Sequence, residues 1–182
     1  MRSSFAIQSD GQEDVMAADG SWSIDPQRSR IGFVASHVFG LGRVKGTFAG
    51  FSGQITVEGG ELTAARAAIA ATGVATGSAR RDADLRSPAF LDVESHPEIA
   101  YAATEVESEG DGRYRMSGAL TVKGNSAEVP LNVKLTESGE TELHLRALGT
   151  FNRRNVGVTP GAKGVIVGRL IGVEIEVVAS RR

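Results

Sequence analysis

Cysteine is absent from this chain of 182 residues, so neither a disulfide nor a thiolate metal site can hold it together. No run approaches the roughly 20 consecutive apolar residues that a membrane-crossing helix needs. The opening segment has Phe5, Ala6 and Ile7 as its only consecutive apolar residues before Gln8, short of the roughly 7 to 15 of a secretory core. The expectation is a soluble, non-exported, cytoplasmic protein. Charge of one sign is also missing: 20 Lys plus Arg face 22 Asp plus Glu, a net of -2. Such a chain lacks the strong positive field of a nucleic-acid binder, and no nucleic-acid partner is expected.

The sign balance is uneven along the chain. Residues 1–21 hold four acids, Asp10, Glu13, Asp14 and Asp19, against Arg2 alone. With Gly, Ser and Gln between its charges, that stretch reads as a flexible acidic tail, because it cannot bury enough apolar area to offset chain entropy. Residues 22–182 read as one domain, long enough to bury a core without metal or disulfide staples.

Within that domain short strands follow one another. Over residues 30–39, Ile31, Phe33, Ala35, His37 and Phe39 alternate with Gly32, Val34, Ser36 and Val38, and Phe51, Gly53, Ile55 and Val57 repeat the period of two before Glu58-Gly59-Gly60-Glu61. Residues 99–107 form another strand candidate, closed by Glu109-Gly110-Asp111-Gly112. Residues 116–122 and the alternating Val129, Leu131, Val133 and Leu135 flank Lys123-Gly124-Asn125-Ser126, a hairpin pattern. Leu143, Leu145 and Ala147, then Val173, Ile175 and Val177, alternate with charged or polar neighbours, the mark of a sheet wet on one face. The alanine-rich 64–71 is read as strand because Thr72, Val74 and Thr76 continue at strand spacing. Residues 78–92, with good helix formers ahead of Pro88, are the best candidate for a short helix. Many short strands with regular turns indicate a sandwich or a barrel.

Catalytic signatures are lacking. In Gly157 to Gly164, Ala162 and Gly164 stand where a phosphate loop needs Gly and Ser or Thr, and Gly40-Leu41-Gly42 with Gly46 misses dinucleotide spacing. No nucleophile elbow or paired-histidine metal helix occurs. His37, His96 and His144 lie far apart, so a structural or surface role is the expectation for each, and no metal or cofactor is expected. The charged run from Arg80 to Arg86 is either a solvated helix start or a polar gate at a pocket mouth. Arg153 and Arg154 are of similar kind.

Trp22-Ser23-Ile24-Asp25, Arg30-Ile31-Gly32-Phe33, Ser36-His37 and Val44-Lys45-Gly46-Thr47-Phe48 resemble, in order, the opening of the YceI-like lipid-binding proteins. Arg81 to Ser87 with Phe90-Leu91-Asp92 and His96-Pro97-Glu98-Ile99 resembles their central signature, and Gly118 to Gly124 with Val129-Pro130-Leu131 the hairpin that follows. The likeness extends from Trp22 to Ala179. It implies an all-β fold, an extended antiparallel lipocalin-like barrel of about eight strands, with the short helical segment near residues 78–92. It also implies binding of polyisoprenoids, long prenyl chains or isoprenoid quinones, in an apolar interior, with no catalytic residue. Asp84, Ala89, Val156 and Arg169 depart from the residues usual at or near those positions, which bears on contacts to a head group.

The expected ligand-lining residues are therefore the large apolar groups Phe33, Phe48, Phe51, Phe90, Leu91, Tyr101, Leu120 and Phe151, with His37, Arg81 and Asp82 near a mouth. The leading expectation is a non-enzymatic carrier or store for an isoprenoid-like lipid. A small enzyme acting on a lipid or a metal-bound substrate through His37, His96 or Arg81 with Asp82 is a second reading. A structural, dimerising module with a vestigial cavity is a third. Edges left by an imperfectly closed barrel could pair two copies, so a homodimer is also an expectation.

Overall fold

The computed structural model describes residues 16–37, 42–160 and 167–181, apart from the side chains of His37 and Val167. Its strands are β1 (Gly20–Ile24), β2 (Arg30–His37), β3 (Arg43–Phe48), β4 (Phe51–Glu58), β5 (Glu61–Ala70) and β6 (Val74–Ala75), followed by helix α1 (Ala79–Arg86). The chain continues through β7 (Glu98–Gly110), β8 (Arg113–Val122), β9 (Asn125–Ser138), β10 (Glu142–Asn152) and β11 (Val167–Arg181). All pairings are antiparallel, and β1 closes the ring by joining both β4 and β11.

Eleven segments fill eight positions around the ring. β1 and β2 both pair with β11, at Ala179–Arg181 and Val167–Glu176 respectively, so they are one strand broken by the turn between them. β3 and β4 share the next position, broken at Ala49-Gly50. β5 and β6 share the third, broken by the 3-10 turn Ala71–Gly73. The result is an up-and-down antiparallel barrel whose first three strands kink at mid-height and extend one end.

Turn chemistry explains much of this closure. The hairpins β4–β5, β7–β8 and β8–β9 turn on Gly59-Gly60, Asp111-Gly112 and Lys123-Gly124, and both residues of each pair have positive φ. Two residues of that conformation match the right-handed twist of the strands they join. α1 starts at Ser78, whose hydroxyl accepts from the Arg81 N–H, and it stops at Ser87 because Pro88 pushes its predecessor into extended geometry.

The barrel's base is solid. Trp22 is fully buried there with Leu135, Leu143, Val57 and Leu62. Its indole N–H donates to the Ala18 carbonyl at 3.0 Å. Ala17 is also buried, and the Gly60 N–H donates to Asp19 Oδ1 at 2.8 Å. That bond and a second from Gly59 hold the Asp19 carboxyl below its ordinary pKa. Residues 16–21 thus belong to the folded body, ahead of the boundary at 22 drawn from composition. Asp19, counted with a loose acidic tail, is a turn cap. The rest of that tail, residues 1–15, lies outside the described residues.

Beyond Ala102, β7 keeps β8 as its only strand partner among the described residues. The resulting edge carries Glu105, Glu107 and Glu109, all exposed. Like charges along an edge oppose pairing with a second copy of it.

Two strand glycines seat aromatic rings. Gly46 lies directly opposite Phe33, and a Cβ there would stand 2.3 Å from that ring; a Cβ on Gly118 would stand 2.3 Å from the Tyr101 ring. Both rings lie across the neighbouring glycine. Gly118→Ala is expected to force the half-buried Tyr101 ring aside and to destabilise by about 1–3 kcal/mol, read as a lowered denaturation midpoint.

Candidate functional site

Above the plugged base the interior is hollow. A cavity of about 980 Å³ runs up the barrel, walled by the inward residue of each alternating pair: Val129, Leu131 and Val133 on β9, and Val173, Ile175 and Val177 on β11. Opposite these, β5 contributes the small Ala65 and Ala67 alongside Leu62, Arg66 and Ile69. Small side chains on a ring of eight strands leave room that larger ones would fill.

At the upper end the wall changes. α1 and the residues after it close the side of the ring between β6 and β7, presenting Leu85, Phe90 and Leu91 to the cavity. The exposed Arg80, Arg81, Asp84, Pro88 and Ala89 line it as well, which places its mouth here. Three tethers hold this cover. Arg86 donates to the carbonyls of Thr72 at 2.9 Å and Val74 at 2.8 Å, Lys123 Nζ donates to Pro88 O at 2.8 Å, and Asp82 accepts from Thr76.

Of the residues expected at the site, Phe33, Phe48, Phe51, Arg81, Phe90, Leu91, Tyr101, Leu120 and Phe151 line this one cavity. Phe33 and Phe48 pack on each other with centroids 5.5 Å apart. Tyr101 donates to Val129 O at 3.4 Å, and burial, followed by the nearby Glu128, pushes its pKa up to about 12, so it stays neutral in the wall. Asp82 is not part of the cavity wall: its Oδ1 accepts from the Thr76 backbone N–H at 2.8 Å and the Thr76 hydroxyl at 2.6 Å, which fastens α1 to the segment after β6. The side chain of His37 lies outside the described residues.

Sequence reasoning passed over Arg153 as a lining residue. It is 8% exposed, yet it borders the cavity, with Nη1 donating to Val158 O at 2.6 Å and Nε to Gly168 O at 3.1 Å. Burial lowers its pKa, and the neighbouring Arg154 and Arg169 add to that. The charged pair Arg153-Arg154 before Asn155 was the only available signal, and it does not say which of the two turns inward. The β-branched stripe of β11 was legible as a strand but not as a wall, because the selection favoured large rings.

His96 and His144 do not converge. His96 lies at the upper end beside Gly124, whereas His144 is on β10 toward the base, with Nε2 2.6 Å from Glu142 Oε1. Among the described residues no group of three His, Cys, Asp or Glu could hold a metal. Glu142 also accepts a two-point clamp from Arg28. That clamp, then His144, draws its pKa from 4.5 down to about 2. A depressed carboxylate pKa stabilises the fold above the unfolded value, and the gain is lost as pH falls from about 4.5 toward 2. Glu142→Gln is expected to flatten the pH dependence of the urea midpoint in that window and to leave its shape near neutrality unchanged.

Comparison with known proteins gives a consistent result. A UPF0312 protein of Pectobacterium carotovorum is 30% identical over 151 residues, covering 79% of this chain and 78% of the relative. One from Yersinia pestis is 34% identical over 126 residues, covering 68% and 65%. Among solved structures, BcnA of Burkholderia cenocepacia superposes with a TM-score of 0.77 at 18% identity, over 85% of this chain and 98% of that one. A domain of Saccharophagus degradans described as polyisoprenoid binding and implicated in plant cell wall breakdown does so with 0.70 at 15%, over 88% and 98%. The model of the YceI-like domain matches residues 22–179, nearly the whole barrel, and this chain belongs to that family.

Proposed function

We propose that this protein binds a long apolar lipid of isoprenoid type, a polyprenyl chain or an isoprenoid quinone, inside its barrel, and stores or carries it without altering it. The observation that supports this most directly is the hollow of about 980 Å³ with its apolar wall. Its size is at the upper end of the roughly 300–1,000 Å³ common for ligand pockets. Water gains little from entering a wall with few polar partners. A thin hydrocarbon gains much: each five-carbon unit withdrawn from water contributes about 3–4 kcal/mol before ordering costs, at about 0.8 per carbon group.

Kinship supports the same reading, since one structural relative is described as a polyisoprenoid-binding domain. Phe33, Phe48, Phe51, Phe90, Leu91, Tyr101, Leu120 and Phe151 would touch the chain, while Arg81, Arg80 and Arg153 would face its polar end. Three of the four departures from the family pattern, Asp84, Ala89 and Val156, line the cavity, and Arg169 is near Arg153. Selectivity for the head group would therefore differ from that of relatives. Asp82, the carboxylate of the enzymatic reading, accepts two hydrogen bonds from Thr76.

Native mass spectrometry of the full chain, purified without detergent, tests the proposal. The expected spectrum shows a bound neutral or singly functionalised polyprenyl mass, which organic extraction releases. Recovery of ligand-free protein from several preparations, combined with failure to take up a polyprenol or a quinone, would overturn it.

A further inference from the structure

We infer that the mouth end of the barrel is a docking surface for an anionic lipid bilayer. Six exposed cations surround that end: Arg43 and Lys45 on β3, Arg80 and Arg81 on α1, Arg154 after β10, and Arg169 at the start of β11. None of them forms an ion pair with another described residue. Of the exposed cations elsewhere, Arg28, Arg113, Arg115 and Arg146 are each matched to a carboxylate, whereas Arg30, Arg66, Lys134 and Arg181 form no ion pair with a described residue. The acids of the mouth end, Asp84, Asp92, Glu94 and Glu98, are fewer, and Asp82 is held by Thr76.

The opposite end is richer in acids. Glu58, Glu61, Glu137 and Glu140 crowd the hairpin turns of the base, beside Glu109 and Asp111, which are matched to Arg115 and Arg113. A chain of net charge -2 therefore has an axial asymmetry that would turn its mouth toward a negative surface. Apolar groups complete the fit, because Leu170 is 60% exposed beside Arg169, and Pro88 and Ala89 are exposed at the cavity's rim. A cationic ring around an oily opening matches anionic head groups around acyl chains, and docking would set the cavity against the membrane.

Co-sedimentation of the intact protein with phosphatidylglycerol and phosphatidylcholine vesicles tests this without any bound isoprenoid, so its outcome is separate from that of the ligand proposal. The expected result is binding to phosphatidylglycerol but not to phosphatidylcholine, weakening as salt rises. Arg154→Gln/Arg169→Gln, at residues that do not line the cavity, should reduce partitioning about tenfold or more. Arg113→Gln/Arg115→Gln removes the same charge at the base and should change it little. Failure of the native protein to sediment with phosphatidylglycerol at low salt, or an equal loss in the base variant, would overturn the inference.

Discussion

Trp22→Ala is expected to remove about 3–5 kcal/mol of stability, the usual cost of emptying a buried indole site. The site has no means of collapsing. Trp22 is fully buried on β1, the strand that closes the ring, in register with Ile55 on one side and Arg181 on the other. Its ring packs in the cluster that holds Leu135 and Leu143, and its N–H ties the chain at Ala18 across the base. Against a typical total of about 5–15 kcal/mol, the loss would bring the barrel close to unfolding at room temperature. Circular dichroism should follow urea unfolding in the variant, since Trp22 is the only tryptophan and its fluorescence vanishes with it. Trp22→Phe, which keeps most of the apolar volume, should recover more than half of the loss. A midpoint unmoved by Trp22→Ala would mean that the base does not hold the ring closed.

Legibility of the fold followed the range of the interactions. The three two-residue turns were readable because a Gly at a positive-φ position is a local requirement, and strand alternation was readable because it records which face is wet. The alanine-rich β5 is a strand as read, despite its helix propensity, although the strand spacing expected through Thr72 and Thr76 is broken by the 3-10 turn Ala71–Gly73. The kinks at Ala49-Gly50 and Ala71–Gly73 were not readable, since they express how a ring of eight closes. Asp19 was misplaced, and the tether made by Asp82 was not readable, because each binds a backbone N–H that only the folded chain brings near. Alternation also names a face without its radius. Whether Phe51 or Tyr101 packs against a neighbour or borders a void depends on Ala65 and Ala67 being small, a sum over strands far apart in sequence.

That sum can be altered directly. Ala67 on β5 and Ala147 on β10 both line the cavity, four positions apart in a ring of eight, and so on opposite walls. Ala67→Phe/Ala147→Phe would put two rings into the hollow from opposite walls while leaving the outer faces untouched. In a packed core such enlargement costs about 1–3 kcal/mol of strain per site. In a void the rings gain contacts instead, so the thermal midpoint should hold or rise. Binding should move the other way. Displacing even one five-carbon unit forfeits about 3–4 kcal/mol of transfer free energy, which is at least a hundredfold in affinity for a polyprenol. Titration with a fluorescent polyprenol analogue, alongside calorimetric melting, separates the cases. Loss of binding with an unchanged melt is the signature of a filled hollow, whereas a lowered midpoint would show that these walls already meet.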